Sequence, residues 1–334
     1  MRKDTDFIYE AITKVEELSG IHIEFDSTRP NYDGLVQIKD QEFLVEAKSA
    51  VRTSNLGLVI SQIEQARDTN RRPILLVSKY VAKAAVQEFK KRNINFIDSA
   101  GNALIKYGQV FIYIEGQKAQ SKEKTNQSRA FQEAGLKIIF TLLSFPNSIE
   151  LSYRGLAESA DVSIGSLSNV MGELEQLNYV LRTNNRKILK NQEDLLERWV
   201  IAYNDVLRPR VFRKRMKFIQ PEQAKNWASL TNLETSKPIH WGGEPGAAML
   251  GSNLRPEKFT LYTNIELPEL AKTFKLVPDQ DGNVEVLNQF WTSGEKQNSI
   301  TPPLLIYTDL INSGSGRNLE VAKQILEDEL QYIK

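Results

Sequence analysis

Asp33, followed after twelve residues by Glu46-Ala47-Lys48, is the spacing in this chain most capable of chemistry. It lies in the segment YDGLVQIKDQEFLVEAKSA, which reads as a β-hairpin: a strand Leu35–Ile38, a turn Lys39-Asp40-Gln41 and a strand Glu42–Lys48. Glu46 and Lys48 are two apart on a strand, so their side chains leave the same face. The hairpin register can bring Asp33 beside them at the strand ends. Asp33 and Glu46 then offer hard oxygen ligands suited to a magnesium ion. Such an ion polarises a phosphodiester and lowers the pKa of a bound water, and Lys48 is placed to orient that water. Asp33, Glu46 and Lys48 are therefore the candidate catalytic set, with Asp33 and Glu46 as metal ligands. Glu10 and Glu17, one heptad apart on a preceding helix, are candidates for a further ligand, and Gln62 for a contact to DNA or water.

The elements that must position these residues follow in order. Phe7, Ile8, Ala11, Ile12, Val15 and Leu18 fall at helical spacing before the hairpin. After it come a second helix through Leu56, Val59, Ile60, Ile63 and Ala66, the strand PILLVSKY, a helix Val81–Arg92, and strands Asn95–Asp98 and Gln109–Glu115. The triad in this setting resembles the PD-(D/E)XK nuclease superfamily, with Tyr32 where the motif has proline. The resemblance implies a restriction-endonuclease-like α/β domain over residues 1–118. A basic group at Arg67, Arg71 and Arg72 suits a phosphate track.

A polar stretch at 116–129, GQKAQSKEKTNQSR, interrupts the apolar periodicity and reads as a linker. Beyond it, helices Ala134–Phe145, Tyr153–Ala160 and Ile164–Leu177 precede two short strands, Tyr179–Leu181 and Lys187–Leu189. That order predicts a winged helix-turn-helix over 130–200, with Ser163 as the N-cap of the third helix. The start of that helix is small and polar, and Ser163, Ser166 and Asn169 are placed to meet base edges in a groove. Arg182, Arg186, Lys187 and Lys190 on the wing, and Arg213 and Arg215 in a basic run after it, suit phosphate. The alternative reading of the same helices is a unit that packs protein rather than DNA.

Charge distribution agrees with this division. The net charge of +1 over 334 residues conceals 16 basic and 11 acidic residues in 121–220, against 10 and 15 in 221–334. The middle segment is suited to a polyanion and the last is not. Residues 221–334 read as a separate α/β domain, with strands at Phe274–Val277, Val284–Phe290 and Leu304–Tyr307 and a terminal helix Asn318–Ile333. Gly242-Gly243 marks either a phosphate cradle or a tight turn. The absence of cysteine excludes disulfides and thiolate zinc sites and fits a cytoplasmic location. No apolar run is long enough for a membrane span.

Three stretches, NFIDSAGNALI, WGGEPGAAMLGSNLRPEKFTLYT and IYTDLINSGSGRNLEVA, resemble signature segments of AbiEi-type antitoxins of type IV toxin–antitoxin systems. The resemblance implies a transcriptional regulator that binds its own promoter as double-stranded DNA and opposes a nucleotidyltransferase-like toxin protein. The nuclease-like N-terminal domain departs from the simpler plan of a winged helix with an antitoxin domain. Two other roles stay open: a magnesium-dependent endonuclease targeted by its winged helix, and a scaffold whose acidic C-terminal part binds protein. The sequence leaves the oligomeric state open, with a homodimer allowed. The fold expected is α/β and multidomain.

Overall fold

The computed structural model describes residues 6–27, 32–53, 55–118, 128–183, 186–292, 299–314 and 316–333. They form two compact units, Met1–Lys124 and Thr125–Lys334.

In the first unit the elements are α1 (Asp6–Ser19), β1 (Ile23–Asp26), β2 (Gly34–Ile38), β3 (Gln41–Lys48), α2 (Leu56–Thr69), β4 (Ile74–Ser78), α3 (Lys83–Arg92), β5 (Asn95–Asp98), β6 (Ala103–Tyr107) and β7 (Val110–Ile114). The seven strands lie in chain order in one sheet. β3, β4 and β5 run parallel, which requires the helical crossovers α2 and α3, whereas the other neighbours are antiparallel. The β2–β3 turn is closed by Lys39 and Asp40, with Lys39 at φ 53°. Strand alternation sorts the core into two layers. Val36, Ile38, Phe43, Val45, Leu75, Val77 and Ile97 pack with α1. Leu35, Leu44, Ile74, Leu76 and Phe96 pack with α2 and α3. Strand β6 is not anticipated by the sequence pattern, because Gly101 and Asn102 mask the start of a short strand inside ALIKY.

The second unit opens with α4 (Glu133–Ser144), α5 (Tyr153–Ser159) and α6 (Ile164–Gln176), then a hairpin of β8 (Val180–Arg182) and β9 (Lys187–Leu189). Next, α7 (Gln192–Ala202) runs through a π-helical turn, Tyr203–Leu207, into α8 (Arg208–Val211). The remaining elements are β10 (Phe212–Phe218), α9 (Pro221–Lys225), β11 (Ile239–Gly242), α10 (Gly243–Met249), β12 (Phe259–Thr263), α11 (Leu267–Phe274), β13 (Leu276–Pro278), β14 (Val284–Leu287), α12 (Pro303–Ser313) and α13 (Gly316–Asp328). Five strands make a mixed sheet in the order β11-β12-β14-β10-β13, in which only β12 and β14 are parallel.

Helices and sheet of this unit share buried surface. Phe140 of α4 stacks on Trp199, which stacks on Tyr203, and Phe290 and Trp291 pack against Phe140 and against each other. The Trp199 indole N–H donates to the Leu136 carbonyl at 2.8 Å, and the Tyr332 hydroxyl donates to the Leu143 carbonyl at 2.9 Å. Among the described residues, no helix is long and apolar enough to cross a membrane.

The structure corrects several expectations. A boundary at 221 cuts into the sheet, since β10 pairs with both β13 and β14 and begins at Phe212. Residues 130–200 and 221–334 are parts of one compact unit. Leu304–Tyr307 is helical within α12: its residues are buried on all sides, so the apolar run carries no period to tell helix from strand. Phe274 ends α11, and the strand begins after Lys275, whose left-handed backbone stops the helix.

This architecture predicts that residues 221–334 expressed alone do not fold, whereas 125–334 does. The shorter piece lacks β10, the strand that joins β13 to β14, and with it Met216 and Phe218 of the core. Circular dichroism and a cooperative urea transition check this; a cooperative transition in 221–334 would contradict it.

Candidate functional site

In the first unit, the antiparallel register places Gly34 opposite Val45, so Asp33 stands opposite Glu46. Asp33 continues the Leu35 face and Glu46 and Lys48 the Leu44 face, which is the α2/α3 side of the sheet. The structure thus brings the three residues to one end of β3. Asp33 Oδ2 accepts a 2.7 Å hydrogen bond from the Ala47 amide, tying the residue before β2 to β3. Lys48, largely buried, lies 3.2 Å from Glu46 Oε1. Glu17 pairs with Lys14 at 2.7 Å on the exposed side of α1, and Glu10 is exposed on that helix. Among the described residues, no group of three Asp, Glu or His side chains converges in a way that could hold a metal ion. Of the two carboxylates, Asp33 is bonded to backbone and Glu46 lies against Lys48. The Arg67–Arg72 track is dispersed: Arg67 donates to the Arg92 and Asn93 carbonyls, and Arg72 pairs with Glu42 at 2.7 Å.

In the second unit, α6 begins at a serine cap. Ser163 Oγ accepts from the Ser166 amide at 3.1 Å and donates to Ser166 Oγ at 2.9 Å. Leu167, Val170, Met171 and Leu174 point into the core, which leaves Ser163, Ile164, Gly165, Ser168 and Asn169 exposed. The turn before it is held by Lys137, which pairs with Asp161 at 3.0 Å. On the hairpin, Arg182, Arg186 and Lys190 are exposed. Lys187 is different. Its ammonium lies 4.8 Å from the Tyr153 ring centroid and donates to the Leu151 carbonyl at 3.2 Å. Burial, and then the charge of Arg182, hold its pKa below the usual lysine value. Lys187 anchors the hairpin to the start of α5.

The basic run 208–217 makes hydrogen bonds and ion pairs within the unit. Arg213 donates to the carbonyls of Thr263 and Ile265, at 3.2 and 2.5 Å. Arg215 and Arg208 both pair with Glu285, Arg208 at 2.7 Å. Arg210 pairs with Glu133, and Lys217 with Asp279 at 2.6 Å. Arg213 and Arg215 belong to β10, and their guanidinium groups bind neighbouring elements of the sheet.

At the back of this run lies a buried polar cluster that the sequence pattern did not reveal. Tyr203 Oη and Tyr262 Oη are 2.7 Å apart, and Tyr262 Oη donates toward both Asp309 oxygens at 3.2 Å. Arg208 Nε lies 3.7 Å from Asp309 Oδ1. Burial pushes the Asp309 carboxyl up to about 6 against the pull of Arg208. Both tyrosine hydroxyls are raised, by burial first. One signal was available: Asp309 is a lone charge in the otherwise apolar run PLLIYTDLI. The glycine pair belongs to this cluster. A Cβ on Gly242 would meet Asp309 Oδ2 at 2.7 Å, and one on Gly243, at φ +49°, would meet Thr260 Oγ1 at 2.9 Å. The tight-turn reading is the one the packing supports.

The sign of the pH effect follows from Asp309. Its folded pKa exceeds the unfolded value of 3.8, so the folded state holds the proton more tightly between those limits. This contribution to stability therefore falls as pH rises from about 4 to about 6. Between pH 5 and pH 7 the Asp309→Asn variant should gain about 1 kcal/mol relative to the wild type. Urea midpoints at the two pH values check this, and a difference independent of pH would contradict it.

Residues 187–333, from β9 to the end of the described chain, match a family model described as transcriptional regulator, AbiEi antitoxin, type IV toxin–antitoxin system. The match contains the whole five-stranded sheet and the Tyr203–Tyr262–Asp309 cluster, and it excludes NFIDSAGNALI in the first unit. No curated protein and no solved structure matches the chain. The C-terminal part of the second unit is therefore similar to the antitoxin regulators of type IV systems.

Proposed function

We propose that this protein is a DNA-binding transcriptional regulator acting as the antitoxin of a type IV toxin–antitoxin system. In this reading α4–α6 and the β8–β9 hairpin are a winged helix-turn-helix. The observation that carries it is the exposed, small and polar start of α6 beside three exposed hairpin cations, Arg182, Arg186 and Lys190. Small side chains permit close approach to a groove, and the cations suit the flanking phosphates. The family match over 187–333 supports the regulator and antitoxin role. Its partners are double-stranded DNA and a toxin protein, for which the sequence resemblance suggests a nucleotidyltransferase-like fold.

The test is duplex binding by the full chain across a salt series. Reversing Arg182, Arg186 and Lys190 to Glu should weaken binding to all sequences. It should also lower the slope of log affinity against log salt by about 1 for each phosphate no longer neutralised. Changing Ser168 and Asn169 should instead shift sequence preference, at roughly 1–3 kcal/mol per base pair read. Arg213→Ala should leave the slope unchanged. An unaltered slope in the triple reversal would overturn the assignment. Co-expression with the protein encoded beside it tests the antitoxin role: growth should be rescued, and a harmless neighbour would contradict the reading.

We also propose that the first unit is a PD-(D/E)XK-like fold that does not cleave DNA. The engagement of Asp33 by the Ala47 amide and of Glu46 by Lys48 supports this. With magnesium or manganese, plasmid and linear DNA should stay intact. Cleavage that disappears in Lys48→Ala would establish the endonuclease alternative instead.

A further inference from the structure

The buried cluster joins the two halves of the second unit at one point. Tyr203 lies on the π-helical turn and Arg208 on α8, the segment that leads out of the hairpin through α7. Tyr262, Glu285 and Asp309 come from β12, β14 and α12 on the sheet side. A π turn costs backbone hydrogen-bond geometry and is found preferentially at functional sites. Here it sets Tyr203 onto Tyr262. On the same side, Thr292 Oγ1 donates to the Glu158 and Ser159 carbonyls at 3.2 Å, at the end of α5 next to the turn into α6. The aromatic chain Phe290–Phe140–Trp199–Tyr203 connects that contact with the cluster.

We propose that Asp309 is a positioning residue for DNA binding. Through Tyr262, Tyr203 and Arg208 its ionised carboxylate holds the π turn on the sheet, and through that turn it fixes the pose of α4–α6 and the hairpin. The proposal rests on the DNA-binding reading above. An ionised carboxylate accepts the Tyr262 hydrogen bond and attracts Arg208 across 3.7 Å. A protonated one attracts Arg208 less, and the π turn is tethered less firmly. The charge sits in an enclosed place where removing water is costly, which makes the joint responsive to a proton. Acid acts on this joint with the opposite sign to its effect on global unfolding. Opening the joint withdraws Arg208 while the carboxyl stays buried, which favours the proton further; unfolding returns the carboxyl to water.

Asp309 faces Arg208 from α8, Tyr203 from the π turn, Tyr262 from β12 and Glu285 from β14, with Arg215 of β10 behind Glu285. Of the other neighbours, His240 of β11 packs on Trp291. Glu244 of α10 accepts from Asn318 of α13 at 2.9 Å and lies 3.4 Å from Arg317 of the same helix. These groups belong to other contacts.

The experiment uses the full chain at pH 5.5 and 7.5, comparing wild type, Asp309→Asn and Tyr203→Phe. Asn keeps the shape of the side chain and removes its titration; Phe removes only the hydroxyl relay. Two readouts are taken: amide exchange of residues 199–211 and 163–172 without DNA, corrected for intrinsic rates, and affinity for a duplex. In the wild type, acid should speed exchange in both segments. It should also weaken duplex affinity by about fivefold or more relative to its effect on Asp309→Asn. Asp309→Asn should show no such pH response, and Tyr203→Phe should uncouple 163–172 from 199–211. If Asp309→Asn follows the wild type in exchange, the positioning role is wrong. If both segments respond and no duplex binds at either pH, the coupling stands and the DNA-binding reading is what fails.

Discussion

An ionisable carboxylate enclosed within the second unit is the constraint on which much of its arrangement depends. Asp309 sits in a helix that is otherwise largely apolar where it is buried, and satisfying it dictates its surroundings. Two tyrosine hydroxyls must meet there, an arginine must approach, and the opposing chain must carry glycine at 242 because a Cβ has no room. Arg208 in turn requires Glu285, and Glu285 recruits Arg215. Burying one charge thus fixes contacts among α8, β10, β12, β14 and α12. Its removal from water disfavours the charged form, while Arg208 partly compensates, so the cluster is held near balance rather than deep in a well.

The same kind of pairing extends along the basic run of the sequence. Arg208, Arg210, Arg213, Arg215 and Lys217 look like a phosphate track when read along the chain. In the fold, each of them finds a carboxylate or carbonyl on another element. The hairpin shows the converse: Arg182, Arg186 and Lys190 remain exposed, while Lys187 turns back onto Tyr153.

Local pattern made much of the first unit legible. Two short apolar runs, GLVQI and QEFLVEAK, on either side of Lys39-Asp40 defined the hairpin, and the step from Asp33 to Glu46 and Lys48 implied a shared face. The serine cap of α6 and its buried stripe were likewise readable, because both depend on residues within a few turns of one helix. What escaped was non-local. PLLIYTDLI carries no period because α12 is enclosed, so its apolar run suggested a strand. The start of the sheet at Phe212 was hidden because β10 is rich in arginine and lysine, and the hydrogen-bond partners of Arg213 and Arg208 lie 50 to 77 residues away. The Asp309 cluster draws on five elements, and no spacing rule links them.

If α6 and the hairpin meet DNA while the sheet holds them in place, amide exchange of the full chain with and without a bound duplex shows it most directly. Protection is expected at residues 163–172 and 180–190, with the surface strands and helices of the sheet unchanged. Protection confined to residues 212–292, with 163–172 and 180–190 exchanging as in the free protein, would contradict the account.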